Sequence, residues 1–182
     1  MRGEITNDTK SNLALSINTD ILDAITKIAN MSGTSTNLKI NSILEKYVLF
    51  YRFIEITKDA VIPPALAVPI MNLIGEQEMT KIMSKTVDDV ITSLFMHSNI
   101  PFTTDNVIEF FIKGPMKWGG TYSSIDQFRD NEGCLNIILE HKKDLLWSKI
   151  MATGVCNLIK KTGDSVDYTA SSNSVTVKIL KK

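Results

Sequence analysis

The sequence predicts an α+β protein: a strand-helix-helix module at the amino terminus, then a helical linker region, then a small α+β domain of about four strands and one long helix. Three observations predict it. Residues 13–17 alternate large and small side chains ahead of two capped amphipathic stretches. Residues 79–95 carry apolar side chains at helical spacing, and from Val107 onward short alternating runs flank a helical run between Asp144 and Gly163. The implied divisions are residues 1–53, 54–106 and 107–182.

In Leu13-Ala14-Leu15-Ser16-Ile17, the large residues Leu13, Leu15 and Ile17 look one way while Asn12, Ala14 and Ser16 look the other, as in a strand buried on one face. Asn18 offers a helix cap, Asp20 sits in the first turn where the helix dipole favours an anion, and Ile21, Leu22, Ile25, Ile28 and Ala29 form one apolar stripe. Gly33 stops that helix. Ser35 caps a second, whose Ile40, Ile43, Leu44 and Tyr47 fall at i, i+3, i+4 and i+7. A lone strand leaves its backbone donors and acceptors unpaired, and about fifty residues make a thin core. A second copy supplies both, its strand paired with the first about a two-fold axis. The chain itself is therefore the expected partner, as a homodimer or higher assembly with Leu13, Leu15, Ile17, Ile40 and Leu44 in the dimer core.

In the order of their elements, their spacing and the Gly33-Thr34-Ser35 turn, residues 11–50 resemble the ribbon-helix-helix family of Arc and the methionine repressor. The resemblance implies double-stranded DNA as a partner. In that family the outward residues of the paired ribbon enter the major groove, and the amino end of the second helix binds phosphate. By position, Asn12, Ala14 and Ser16 face bases, while Lys10, Ser35, Thr36, Asn37 and Lys39 face phosphate. Ala14 offers only a methyl contact, neither Asn12 nor Ser16 adds charge, and Lys39 stands where the family usually has an apolar residue. A ribbon used only for dimerisation is the plain alternative.

After Phe53, the apolar run from Ala60 to Ile74 is interrupted by Pro63, Pro64 and Pro69, which reads as a linker entering the core and not as a bilayer span. The stripe Met79, Ile82, Met83, Val87, Val90, Ile91, Leu94 and Phe95 follows as a core face, or as an adaptable groove for a partner or an apolar ligand, and Asn99-Ile100-Pro101 ends it. From Val107, Phe110 and Ile112 alternate with Glu109 and Phe111 up to Gly114-Pro115, a first strand; Leu135 to Leu139 is a second. Asp144 starts a long helix bearing Leu145, Leu146, Ile150, Met151, Val155, Leu158 and Ile159, which Gly163 stops. Val166 and Tyr168 then lead through Ser171-Ser172-Asn173 to Val175, Val177 and Ile179, a hairpin. A fragment beginning near Thr104 is thus expected to fold alone. The strand ending in His141, the Leu146-Trp147-Ser148-Lys149 segment and the terminal strand pair resemble the carboxyl-terminal domain of archaeal proteins that carry a ribbon-helix-helix segment in front. Those proteins are assigned by inference as transcriptional regulators.

With 20 basic and 20 acidic side chains, the whole chain has no net field to hold it on nucleic acid or an anionic membrane, so partners are read locally. Across the three segments the balance is +1, −4 and +3. A hydrophobic content of 43% argues against disorder as the main state. No pattern of basic residues, apolar run and cleavage site opens the sequence, and a cytoplasmic protein with no membrane partner is expected. Cys134 and Cys156 fit no common zinc or redox spacing and read as buried thiols. His97 and His141 lie at helical spacing from no other soft ligand, so neither metal nor cofactor is expected. Glu140-His141 offers an acid and a base, yet no Ser or Cys sits at a recognisable nucleophile elbow, and the chain does not read as an enzyme. Gly114, Gly119 and Gly120 surround Trp118 without phosphate-loop or dinucleotide spacing. That loop reads as flexible, or as a lid over a small pocket walled by Trp118, Tyr122 and Trp147.

The expected function is that of a dimeric DNA-binding transcriptional regulator whose carboxyl-terminal domain serves sensing or assembly, with a small-molecule effector as a candidate ligand. Two rivals stand beside it. One is a protein-interaction scaffold that keeps the ribbon for dimerisation only; the other is a small-molecule-binding domain that the ribbon merely dimerises.

Overall fold

A computed structural model describes residues 14–57 and 61–180, the side chains of Thr57 and His97 apart. The chain is of mixed α and β structure and divides into two compact units, Met1–Leu44 and Glu45–Lys182. Of the expected site residues, Lys10, Asn12 and Leu13 lie outside the described residues.

In the first unit, residues 14–18 carry no regular hydrogen-bonded structure; a β-ladder needs a partner strand, and among the described residues none pairs with them. Helix α1 (Thr19–Met31) starts where Asn18 Oδ1 accepts the Asp20 amide at 3.0 Å. It ends in a Schellman turn: Gly33 has φ +64°, its amide reaches Asn30 O at 3.1 Å, and the Thr34 amide reaches Ala29 O at 3.0 Å. Helix α2 (Thr36–Lys46) follows, with Ser35 Oγ accepting the Leu38 amide at 3.2 Å. Both caps stand where the sequence places them. Of the residues in these two helices, only Ala29 is fully buried.

The second unit is built on one helix. α8 (Leu145–Lys161) follows a run of shorter pieces: α3 (Arg52–Thr57), α4 (Pro64–Ile74), α5 (Glu76–Thr86), α6 (Thr92–His97) and the single turn α7 (Thr104–Asn106). Between them lie three π-helical stretches, Tyr47–Tyr51, Val87–Ile91 and Val107–Met116, the last kinked at Gly114. The four strands β1 (Ser124–Arg129), β2 (Leu135–Glu140), β3 (Val166–Ala170) and β4 (Ser174–Ile179) form one antiparallel sheet in the order β1-β2-β4-β3. Register sets Leu139 opposite Val175 and Ile137 opposite Val177, and these fully buried side chains make the sheet face that receives α8. The other side of α8 packs on α5, closely enough that a Cβ at Gly154 would lie 2.9 Å from Met83 Sδ.

Three expectations are corrected here. The run from Val107 is helical and not a strand: Glu109 and Lys113 pair at 2.5 Å across i, i+4, and Val107, Ile108, Ile112 and Met116 are buried together. The first strand is instead Ser124–Arg129, an edge strand with little burial. The proline-bearing passage is helical in α4, with Pro64 at its start, where a missing N–H costs nothing, and Pro69 inside it. Finally, residues 54–106 do not stand apart as a linker, because Val87, Ile91 and Phe95 share one core cluster with α8 and the sheet. Among the described residues, no helix is long and apolar enough to cross a membrane.

That shared core changes the expectation for the fragment beginning at Thr104. Deleting the helical layer uncovers the second face of α8 and removes Val87, Ile91, Leu94 and Phe95, each worth roughly 1.5–3 kcal/mol of burial, against a net stability of about 5–15 kcal/mol for a whole domain. A fragment from Thr104 should show no cooperative thermal transition by circular dichroism, whereas one from Glu45 should unfold in a single step. A sharp transition in the Thr104 fragment would break this account of the core.

Candidate functional site

The residues expected to make a dimer and a DNA surface are placed as follows. Leu15 and Leu44 are exposed, Ile17 and Ile40 half-buried, and Ala14 and Ser16 exposed. Ile21, Leu22, Ile28, Leu38 and Ile43 also stand more than a third exposed, so the apolar stripes of α1 and α2 are largely uncovered within this single chain. Ser35 and Asn37 are exposed, while Thr36 and Lys39 are partly buried, Thr36 Oγ1 lying 3.3 Å from Thr26 Oγ1. The Thr36 and Asn37 amides belong to the first turn of α2, where a helix leaves N–H groups without intrahelical acceptors, and no acidic residue occupies that turn.

Tyr122 and Trp147 are used differently from the expected pocket walls. Tyr122 belongs to the core and donates its hydroxyl to Ile112 O at 2.8 Å; burial pushes its pKa well up. Trp147 donates Nε1–H to Thr121 O at 3.0 Å, and Lys143 Nζ, 4.4 Å above the Trp147 ring, donates to Gly120 O and Thr121 O. These contacts clamp the glycine-bearing loop onto α8. The larger clefts have other walls: one of about 330 Å³ is lined by polar and apolar residues around Thr104, Arg129 and Asp164, and one of about 240 Å³ by apolar residues around Phe53 and Phe111.

Among the described residues, His141, just past the end of β2, is a buried ionisable side chain with a nucleophile beside it. Its Nε2 lies 2.8 Å from Oγ of Ser148, on the first turns of α8; both side chains are buried. The partners fix the tautomer. The Lys143 amide donates to Nδ1 at 3.2 Å, so Nδ1 carries no proton and Nε2–H is the donor to Ser148 Oγ. Ser148 passes its own proton on to Ser171 O in the β3–β4 turn, and the His141 amide donates to Asn173 O at 2.8 Å. In this arrangement Nε2 holds a proton and offers the hydroxyl no base. The chain His141–Ser148–Ser171 ties strand end, helix start and hairpin turn together. Burial, then the charge of Lys143, holds the imidazole pKa below its ordinary value, with Asp144 opposing.

A second polar cluster sits in the β1–β2 turn. Asp130 Oδ1 accepts the Glu132 and Cys134 amides at 3.0 and 2.9 Å, and its Oδ2 accepts from Asn136 at 3.2 Å. Asp130, Glu132 and the thiol of Cys134 lie close enough to share an ion, but Lys178 Nζ reaches both carboxylates, at 3.0 and 2.9 Å. The ammonium already supplies the positive charge. Its hydrogen bond, chiefly, holds the Asp130 carboxyl at about 2. Cys134 and Cys156 are free and buried, and burial pushes the Cys156 thiol up to about 11. Sequence reasoning missed the His141–Ser148 pair, although Asp144 as a helix cap set five residues after Leu139, the strand's last apolar position, does bring the start of α8 back to the strand end.

No protein-family model, curated protein or solved structure matches this chain.

The buried histidine makes stability depend on pH in a defined direction. With its pKa lower in the folded state, the unfolded chain binds more protons below the ordinary value near 6.5, so this contribution is full above about pH 6.5 and is lost as pH falls through the window below. The Tm of the protein should therefore fall between about pH 7 and pH 5.5, and His141→Gln should flatten that slope. An unchanged slope in His141→Gln would place its origin elsewhere.

Proposed function

We propose that the protein is a dimeric DNA-binding transcriptional regulator whose first unit pairs with a second copy through a ribbon-helix-helix arrangement. One observation carries the reading: a capped helix pair, preceded by a segment of alternating side chains, buries only Ala29 of its own two helices and leaves its apolar stripes uncovered. A second copy is the cover that also pairs the alternating segment. In that dimer Asn12, Ala14 and Ser16 point to base edges, and the acid-free amino end of α2, with Lys10 and Lys39, meets phosphate. The second unit then serves sensing or assembly.

The scaffold reading draws on a different observation. Ala14 and Ser16 bring no charge, and Asp20 stands in the first turn of α1 close behind them. In that reading the ribbon only dimerises.

Two measurements test these readings in turn. Leu15→Asp should convert the dimer to monomer in sedimentation at micromolar concentration, since each copy would bury an unpaired carboxylate, at a cost of several kcal/mol. A stable dimer of that variant would remove the ribbon as the interface. Fluorescence anisotropy on duplex DNA should then show binding that weakens about a thousandfold between roughly 50 and 200 mM salt, as expected for about six phosphate contacts per dimer. Lys10→Ala should weaken all sequences alike, and Asn12→Ala should change which sequence is preferred. A wild-type dimer that binds no duplex at low salt would leave the scaffold reading in place of the regulator.

A further inference from the structure

Three stretches of the second unit leave the α-helical register for the wider π-helical one: Tyr47–Tyr51, Val87–Ile91 and Val107–Met116. π-helical residues make up well under about 1% of globular chains, and such turns recur at functional sites. All three stretches meet at one cleft of about 240 Å³. Phe50 comes from the first, Val90 from the second and Phe111 from the third, with Phe53 and Leu94 beside them. A smaller cavity shares Phe53, Leu94 and Phe111, and it is also lined by Ser98, whose buried hydroxyl has no partner among the described residues.

Next to Phe50 the chemistry changes from carbon to positive charge. Lys46 Nζ lies 5.9 Å from the centre of the Phe50 ring and 5.7 Å from that of Trp118, over which Lys117 Nζ stands at 5.2 Å. Trp118 precedes Gly119, where a Cβ would lie 3.5 Å from Phe50 Cε2. Among the described residues neither ammonium has a carboxylate partner, and the buried indole N–H of Trp118 has no acceptor. The apolar cleft thus adjoins, through Phe50 and Gly119 of its wall, two cations without a carboxylate partner among the described residues and an unused N–H donor, a setting that matches an occupant that is carbon at one end and anionic at the other.

We propose that this cleft binds a small amphipathic carboxylate, an aromatic or medium-chain aliphatic acid, with its apolar body against Phe53, Leu94 and Phe111 and its carboxylate toward Lys46 and Lys117. A cation is repelled there, and a folded peptide segment exceeds the space. The site lies wholly in the second unit and stands whether or not the first unit binds DNA.

The probes are octanoate and octanol, which share a chain and differ in charge, titrated calorimetrically into the full-length protein. Octanoate should saturate at one site per chain, with octanol at least tenfold weaker. The double variant Lys46→Gln/Lys117→Gln should bring octanoate down to the affinity of octanol. Val90→Tyr, at a cleft wall 38% exposed and so free to take a larger side chain, should weaken both ligands tenfold or more. Absence of saturable octanoate binding, equal affinity for acid and alcohol, or an unchanged affinity in the lysine double variant would overturn the proposal. The lysine arm carries the test if the Val90 variant fails to fold.

Discussion

The second unit depends on a helix that is apolar on both sides. From Ile150 to Ile159, α8 carries no charged residue, and Ile150, Met151, Val155, Leu158 and Ile159 are all buried. Such a helix is not stable on a surface; it needs a cover on each side. The sheet supplies one through Ile137, Leu139, Val175 and Val177, and α5 with the Val87–Ile91 stretch supplies the other. Charge appears only where the helix emerges. Lys149 pairs with Glu76 at 2.6 Å, and Lys161 with Asp88 at 2.6 Å. Exposed pairs of this kind add little stability; they join α8 to α5 and to the Val87–Ile91 stretch at the edges of the buried contact. They also account for part of the charge asymmetry in the sequence, since an acidic middle segment faces basic ends of α8.

That constraint separates what was legible in the sequence from what was not. α8, β2 and the β3–β4 hairpin were readable because each couples a clear apolar period to a cap or turn, as with Asp144 ahead of the helix and Ser171-Ser172-Asn173 between strands. The caps of α1 and α2 were readable for the same reason. Val107–Met116 was misread because Phe110, Phe111 and Ile112 are apolar in succession, which hides the period. Two helical signals were nevertheless present: Thr103 caps the turn by accepting the Asn106 amide at 3.3 Å, and Glu109 and Lys113 stand one turn apart. β1 was missed because an edge strand needs few apolar residues, and Ile125 alone of its core-facing positions is a hydrocarbon side chain.

Sites were less legible than elements, for a physical reason. The His141–Ser148 bond joins a strand end to a helix start only seven residues away, yet its meaning lies in the Lys143 amide and the Ser171 carbonyl, which set the direction of each proton. Sequence offers the residue types without that direction. The apolar cleft is harder still, because Phe50, Val90 and Phe111 come from three separate stretches. The stripe through Val90, Ile91 and Leu94 marked an apolar face, and only the packing decides that Val87, Ile91 and Phe95 turn into the core while Val90 stays 38% exposed.

The two units differ in what completes them, and this difference orders the proposed function. The second encloses a core cluster made of its own residues. The first leaves Leu15, Ile21, Leu22, Ile28, Leu38 and Ile43 exposed, each worth up to roughly 1.5–3 kcal/mol if covered, and in the proposed dimer that cover comes from a second copy. Its stability is then linked to assembly by mass action. On the proposed reading, a DNA surface built from two ribbons would not exist in the monomer, so duplex binding and dimerisation would draw on one free energy: DNA that engaged both copies would strengthen the dimer, and anything that separated the copies would release DNA. Because the outward ribbon residues add no charge, that proposed coupling would run through phosphate contacts at the amino ends of α2 and at Lys10 and Lys39, and the assembled state would itself be sensitive to salt.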